Sequence, residues 1–176
     1  YGYDHAFISD GMSMTDLGSL GSNPNYRSSY ATAINNSGQV VGYAYNDYGY
    51  YHAFISNGML MTDLGTLGSN PSYQYSYATA INNSGQVTGW SDTDSGQHHA
   101  FLYINGVMRD LNDLMPVDMI GKYLLTEGKA ITDNGLVLVQ AQNLQTGYQR
   151  ALVIRPRGVF TFPAQKYGSQ WQVSVE

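Results

Sequence analysis

Three histidines return at one place in a repeated phrase: His5, His52 and His99, each followed by Ala-Phe, at intervals of 47 residues. Imidazole titrates near neutral pH, ligates metals and shuttles protons, so a repeated His raises metal and catalytic chemistry together. Asp16, Asp63 and Asp110 recur at the same interval, each followed by Leu, with Asp113 just beyond the third. A short carboxylate ahead of a Gly-containing bend ordinarily accepts backbone N–H bonds. One imidazole per repeat would also stand far from its copies unless all faced a common axis. Both sets are therefore read as structural, the histidines bonding between neighbouring strands or repeats. Asn35 and Asn82 open NNSG turns and are read likewise, since Asn tolerates left-handed dihedrals there.

The segment from Ser91 to His99, SDTDSGQHH, places Asp92 and Asp94 on alternate positions before Gly96. That spacing resembles the start of a calcium loop, which needs oxygen ligands on a tightly turned backbone. The third carboxylate and the distal Glu are missing, so a plain hairpin loop is preferred and no cofactor is expected. GxSxG, HExxH and a phosphate-cradling loop are absent from the sequence, and no reaction is expected from such motifs.

Tyrosine is the other residue type with binding chemistry. Of 16 in the chain, Tyr26, Tyr30, Tyr48, Tyr50, Tyr73, Tyr75 and Tyr77 fall in or beside polar segments such as SNPNYRSSY and SNPSYQYSY, with Trp90 nearby. A tyrosine ring offers flat amphipathic area at low entropy cost and a hydroxyl to orient a polar ligand, which suits glycans and protein partners. These eight residues form the expected ligand surface. The competing reading is that Tyr merely fills β positions, where it is favoured.

The elements that must position these residues follow from an internal repeat. The unit from His5 and the unit from His52 are identical at 33 of 47 positions, and a diverged third copy carries KAITDNG from Lys129 and RALVIRP from Arg150. Short apolar alternation without a 3.6-residue period gives strands. Asp10-Gly11, Asn57-Gly58 and Asn105-Gly106 predict two-residue type I′ hairpins. Cutting at the turns gives strands at 5–9 and 12–16, then four per unit, in the first unit 31–35, 39–45, 52–56 and 59–63. Each unit is thus a four-stranded antiparallel meander of blade length. The expected fold is an all-β, β-propeller-like array of about three and a half blades. It comprises a half blade over 1–20, blades over 21–66 and 67–113, a diverged terminal blade over 114–163 and a tail over 164–176. A closed propeller needs at least about four blades. Closure is expected from a tail strand near Gln172, from further repeats in a longer chain or from another copy.

Composition narrows the partners. Charged residues make up 12%, with 8 Lys plus Arg against 13 Asp plus Glu and a net charge of -5, so the footprint for nucleic acid is missing. No apolar stretch is long enough for membrane insertion as a helix, and with no Cys in the chain thiol chemistry is excluded.

HAF, then DLGSLG or DLGTLG, then ATAINNSGQVVG, in fixed order from Tyr1 to about Pro156, resemble the HAF-repeat family of bacterial extracellular repeats. LNDLMPVDMIGKYLLTEGKAITDNG is similar to the closing repeat such proteins often carry. The resemblance implies a propeller-like fold and an extracellular or cell-surface protein, secreted by a leader not seen in this chain. It implies no reaction. The reading preferred on these grounds is a non-enzymatic binding module for glycan or a surface protein. A structural, self-associating envelope or matrix repeat is the alternative, and a hydrolase with convergent His and Asp residues the least favoured.

Overall fold

Glycine and asparagine punctuate the chain every ten residues or so, and short strands fill the intervals. The computed structural model describes residues 2–158 together with Gln165–Tyr167 and Gln170–Gln172. Strands β1 (Phe7–Ser9) and β2 (Met14–Asp16) form a hairpin. β3 (Ser29–Ile34), β4 (Val40–Tyr45), β5 (Tyr51–Ser56) and β6 (Met61–Asp63) form one antiparallel meander, and β7 (Ser76–Ile81), β8 (Val87–Asp92), β9 (His98–Ile104) and β10 (Val107–Asp110) repeat it. β11 (Tyr123–Ile131), β12 (Val137–Asn143) and β13 (Gln149–Ile154) form a third sheet after a 3-10 turn at Val117–Met119. The protein is an all-β, propeller-like array: a two-stranded half blade, two complete blades and a third blade with three described strands. The fourth strand expected for that third blade falls outside the described residues. In the tail, β14 (Gln165–Tyr167) pairs with β15 (Gln170–Gln172), and the residues after Gln172 lie outside the described ones.

The turns differ from expectation in one respect. Among the described non-glycine residues only Asn105 has positive φ, at 53°, so the type I′ geometry occurs at Asn105-Gly106 alone. At Asp10 and Asn57 the side-chain oxygen instead accepts the amides two and three residues on, at 2.8–3.0 Å. This Asx capping supports a four-residue loop, and Met59 and Leu60 therefore belong to the turn rather than to β6. The NNSG turns are corrected in the same way. Positive φ falls on Gly38 and Gly85, while Asn35 and Asn82 accept the amides of Ser37, Gln39, Ser84 and Gln86.

Each blade is apolar on both faces, because successive strand side chains point to opposite sides. In β5, Phe54 packs with Val40 and Ala44 against Ala6 and Leu17 of the half blade, whereas Ala53 clusters with Val41 against Ala78 and Ile81 of the next blade. Ala100, Leu102 and Ile104 meet Leu125, Val137 and Ile154 in the same manner one blade further on.

Close approach is concentrated at the first strand of each blade, which carries a β-bulge: Ala31/Ala33, Ala78/Ala80 and Gly128/Ala130. The bulged Thr32 hydroxyl donates 2.8 Å to the carbonyl of Ala78 in the next blade, and Thr79 donates 2.5 Å to that of Gly128. A Cβ on Gly42 or Gly89 would lie 1.9 Å from the carbonyl oxygen of Tyr30 or Tyr77, so glycine is required opposite the first two bulges. A Cβ on Gly128 would fall 1.9 Å from Oγ1 of the fully buried Thr88. Overpacking of this kind costs about 1–3 kcal/mol. Gly128→Ala is expected to lower the free energy of unfolding by that amount, read as a lower denaturant midpoint, while Gly2→Ala, in open space, leaves it unchanged.

Candidate ligand-binding surface

The repeated histidines and aspartates meet in pairs. His5, His52 and His99 place Nδ1 at 2.7, 2.8 and 2.5 Å from a carboxylate oxygen of Asp16, Asp63 and Asp110. Each carboxylate also accepts a turn amide at 2.7–2.8 Å, from Gly18, Gly65 or Asn112. One His–Asp pair therefore ties the third strand of a blade to the turn after its fourth. The hydrogen bond from His5, reinforced by the Gly18 amide, lowers the Asp16 pKa. Burial pushes Asp110 up, but the bonds from His99 and Asn112 outweigh it and leave its pKa lowered.

A ring that donates from Nδ1 keeps an acceptor on Nε2. In the first complete blade, Asn46 Nδ2 lies 3.2 Å from His52 Nε2, and Asn46 Oδ1 accepts the amides of Tyr48 and Tyr50. Thr93 stands at the corresponding place in the second blade, and there His99 Nε2 is buried without a partner. An unmade buried bond costs about 1–3 kcal/mol. Thr93→Asn is expected to raise the melting temperature by restoring that donor, and Asn46→Thr to lower it; thermal denaturation of the two variants checks both signs.

The loops bearing the expected tyrosines are tied down by carboxylates. Asp47 Oδ1 accepts the amides of Ser22 and Asn23 at 2.6 and 2.8 Å, and Asp94 Oδ1 those of Ser69 and Asn70 at 2.6 and 2.9 Å. Asp92 accepts the amide of Tyr75 and lies 3.2 Å from His98 Nε2. Both carboxylates of the calcium-loop reading are thus engaged within the protein, and no three His, Asp or Glu side chains gather as a metal set among the described residues. Backbone amides lower the pKa of Asp47 and Asp94, and the amide and side chain of Asn83 lower that of Asp133. A carboxyl with a lowered folded pKa binds fewer protons folded than unfolded. Its contribution is present above the unfolded value near 3.9 and is lost as pH falls through the folded value. Melting temperature is therefore expected to fall below about pH 4, and less steeply in an Asp47→Asn, Asp94→Asn double variant.

The tyrosines divide into three groups. Tyr26 and Tyr73 lie against glycines of the next loop, where a Cβ on Gly49 or Gly96 would come within 2.8 or 2.7 Å of the ring. The Tyr50 hydroxyl donates 2.8 Å to the carbonyl of Pro71, and its ring meets Tyr75 edge-on at 5.3 Å. These four latch the inter-blade linkers to the hairpin loops. A second group forms an aromatic column across two blades. Tyr30 stacks on Tyr43 and Tyr45 on Tyr51, Tyr43 reaches Tyr77 at 4.4 Å, Tyr77 stacks on Trp90 at 4.4 Å, and Trp90 on His98 at 4.0 Å. Burial, then the neighbouring Tyr43, pushes the Tyr77 hydroxyl up to about 12, so it stays neutral. Tyr48 alone forms the third group, 81% exposed.

Besides a cleft of about 680 Å³ beside Thr93, Asp94, His99 and Asp110, two clefts are lined by these aromatic residues. One, of about 520 Å³, is walled by Tyr48, Tyr50, Pro71 and Gln74. The other, of about 440 Å³, runs from Trp90, Gln97 and His98 to Glu127, Gln140 and Gln149 on the third blade. Sequence reasoning singled out Trp90 but not the three polar residues opposite it. Aligning the third repeat onto the second at the column positions was the signal that could have found them.

Residues 3–158 match the family described as protein of unknown function, DUF3466. The chain belongs to that family. The DUF3466 match spans the half blade and all three larger blades, so the latches, the column and both clefts lie within it. Comparison with curated proteins and with solved structures gives no match.

Proposed function

We propose that the protein is a non-enzymatic binding module, acting outside the cell or at its surface, whose loop end recognises a glycan or a protein surface. The observation that carries this reading is the cleft between Tyr48, Tyr50, Pro71 and Gln74. Tyr50 is held by its hydroxyl bond to Pro71 and by Tyr75, so one wall is fixed before a ligand arrives and little ordering remains to oppose binding. Tyr48 and the Gln74 amide supply an exposed ring and a two-way hydrogen-bonding group beside it. The extracellular setting is supported by the resemblance to HAF repeats.

A structural array is the second reading, favoured by the open face of the first complete blade. Ile34 is 58% exposed where its counterpart Ile81 is 9% exposed. Leu138 and Val153 are likewise exposed on the third blade, and such faces suit stacking of further blades from another copy.

A glycan and protein-partner array tests the preferred reading. Tyr48→Ala is expected to weaken the ligand found by about tenfold, the scale of a removed aromatic contact, with an unchanged melting temperature. A ligand indifferent to Tyr48 and Gln74 would sink this cleft as the seat, and no ligand in the array would sink the reading itself.

A further inference from the structure

We propose that the groove between the second and third blades binds a neutral glycan, with Trp90 and His98 on one wall and Glu127, Gln140 and Gln149 on the other. This rests on the reading of the protein as a binding module and adds a second seat with a narrower class of ligand.

The repeat supplies the comparison. Between the first and second complete blades the equivalent space is filled by rings, Tyr43 and Tyr51 meeting Tyr77 at 4.4 and 5.9 Å. Cross-strand register identifies the counterparts one blade on. Tyr77 pairs with Trp90, and Glu127 with Gln140; Trp90 pairs with Ala100, and Gln140 with Ala151; Asp92 pairs with His98, and Gln142 with Gln149. The positions of Tyr77, Trp90 and His98 are therefore taken by Glu127, Gln140 and Gln149. The column stops at His98, and a groove of about 440 Å³ stands where the next rings would pack. That volume lies in the range of small-molecule clefts, roughly 300–1,000 Å³.

Its chemistry is two-sided. An aromatic wall accepts the C–H face of a pyranose. Each glutamine amide donates and accepts, the complement of a pair of sugar hydroxyls. Gln140 Nε2 lies 3.4 Å from Gln149 Oε1, a long contact that leaves capacity for a ligand. Glu127 is neutralised by Lys129 at 2.7 Å, so the groove carries no spare positive charge, and an acidic sugar would bring a like charge beside the Glu127 carboxylate. Those features select an uncharged glycan.

The test uses the whole chain carrying Trp171→Phe, which leaves Trp90 as the single indole. Trp90 itself is kept, since it is part of the column. Cellohexaose, laminarihexaose, mannohexaose and chitohexaose are titrated, with oligogalacturonate as the acidic comparison. At least one neutral oligosaccharide is expected to change Trp90 emission saturably. Gln140→Ala and Gln149→Ala should each weaken it about three- to tenfold, the loss of one hydrogen bond, with the melting temperature unmoved. Tighter binding of oligogalacturonate, or no saturation by any neutral oligosaccharide, overturns the proposal. Binding that falls with Tyr48→Ala but ignores both glutamine variants overturns the groove while leaving the binding module standing. An array with no ligand of any kind overturns that broader reading.

Discussion

The structure depends on how closely the first strand of one blade can lie against the blade before it. Apolar burial drives the contact, but area alone would not fix its register. The bulge does. By adding one residue to the first strand it lets Thr32 and Thr79 reach a carbonyl of the next blade, and it forces glycine at 42 and 89, where no Cβ has room. Thr88 against Gly128 is the same constraint at the next interface. Bulges increase local twist as well as redirecting a side chain, so one local irregularity sets both spacing and angle of successive blades.

Polar groups then hold that arrangement without many charges. Asn35 donates to the carbonyl of Asn82 and Asn82 to that of Thr132, at 3.0 and 3.1 Å, while Asn36 and Asn83 offer amides to the side chains of Asn83 and Asp133. At the opposite end Asp47 and Asp94 fasten the linkers. Only 12% of residues are charged because most of this work falls to Asn, Ser, Thr and Tyr. The aspartates that remain are mostly hydrogen-bond acceptors for backbone amides rather than members of Lys or Arg pairs.

Much of this was legible because the units repeat. The meander, the alternation of Ala53 and Phe54 to opposite faces, and the pairing role of the histidines all follow from turns and period. Turn type was not legible at Asp10 and Asn57, since the dipeptide does not say whether the side chain will cap the loop. Neither was the division of the tyrosines: Tyr26, Tyr48 and Tyr77 sit in similar polar surroundings, yet one latches a linker, one stands free and one belongs to a column. The groove was hidden by divergence rather than by register. A step of 50 residues carries Tyr77 onto Glu127 and Trp90 onto Gln140, but the replacements are polar, so nothing in their own types marks them as counterparts of an aromatic column.

Those polar replacements tie the divergence of the third unit to chemistry. A repeat whose neighbours fill an interface with rings has no room for a ligand at that interface. Replacing three stacked rings by a carboxylate and two amides removes stacking worth about 0.5–1.5 kcal/mol per pair, and the buried contacts of the third blade with Ala100, Leu102 and Ile104 remain to hold it in place. Stability is thus carried by the apolar part of this interface while its aromatic part is released from packing. A blade kept in register by its apolar face and freed on its aromatic one is where an array of near-identical units can acquire a site that the units themselves lack.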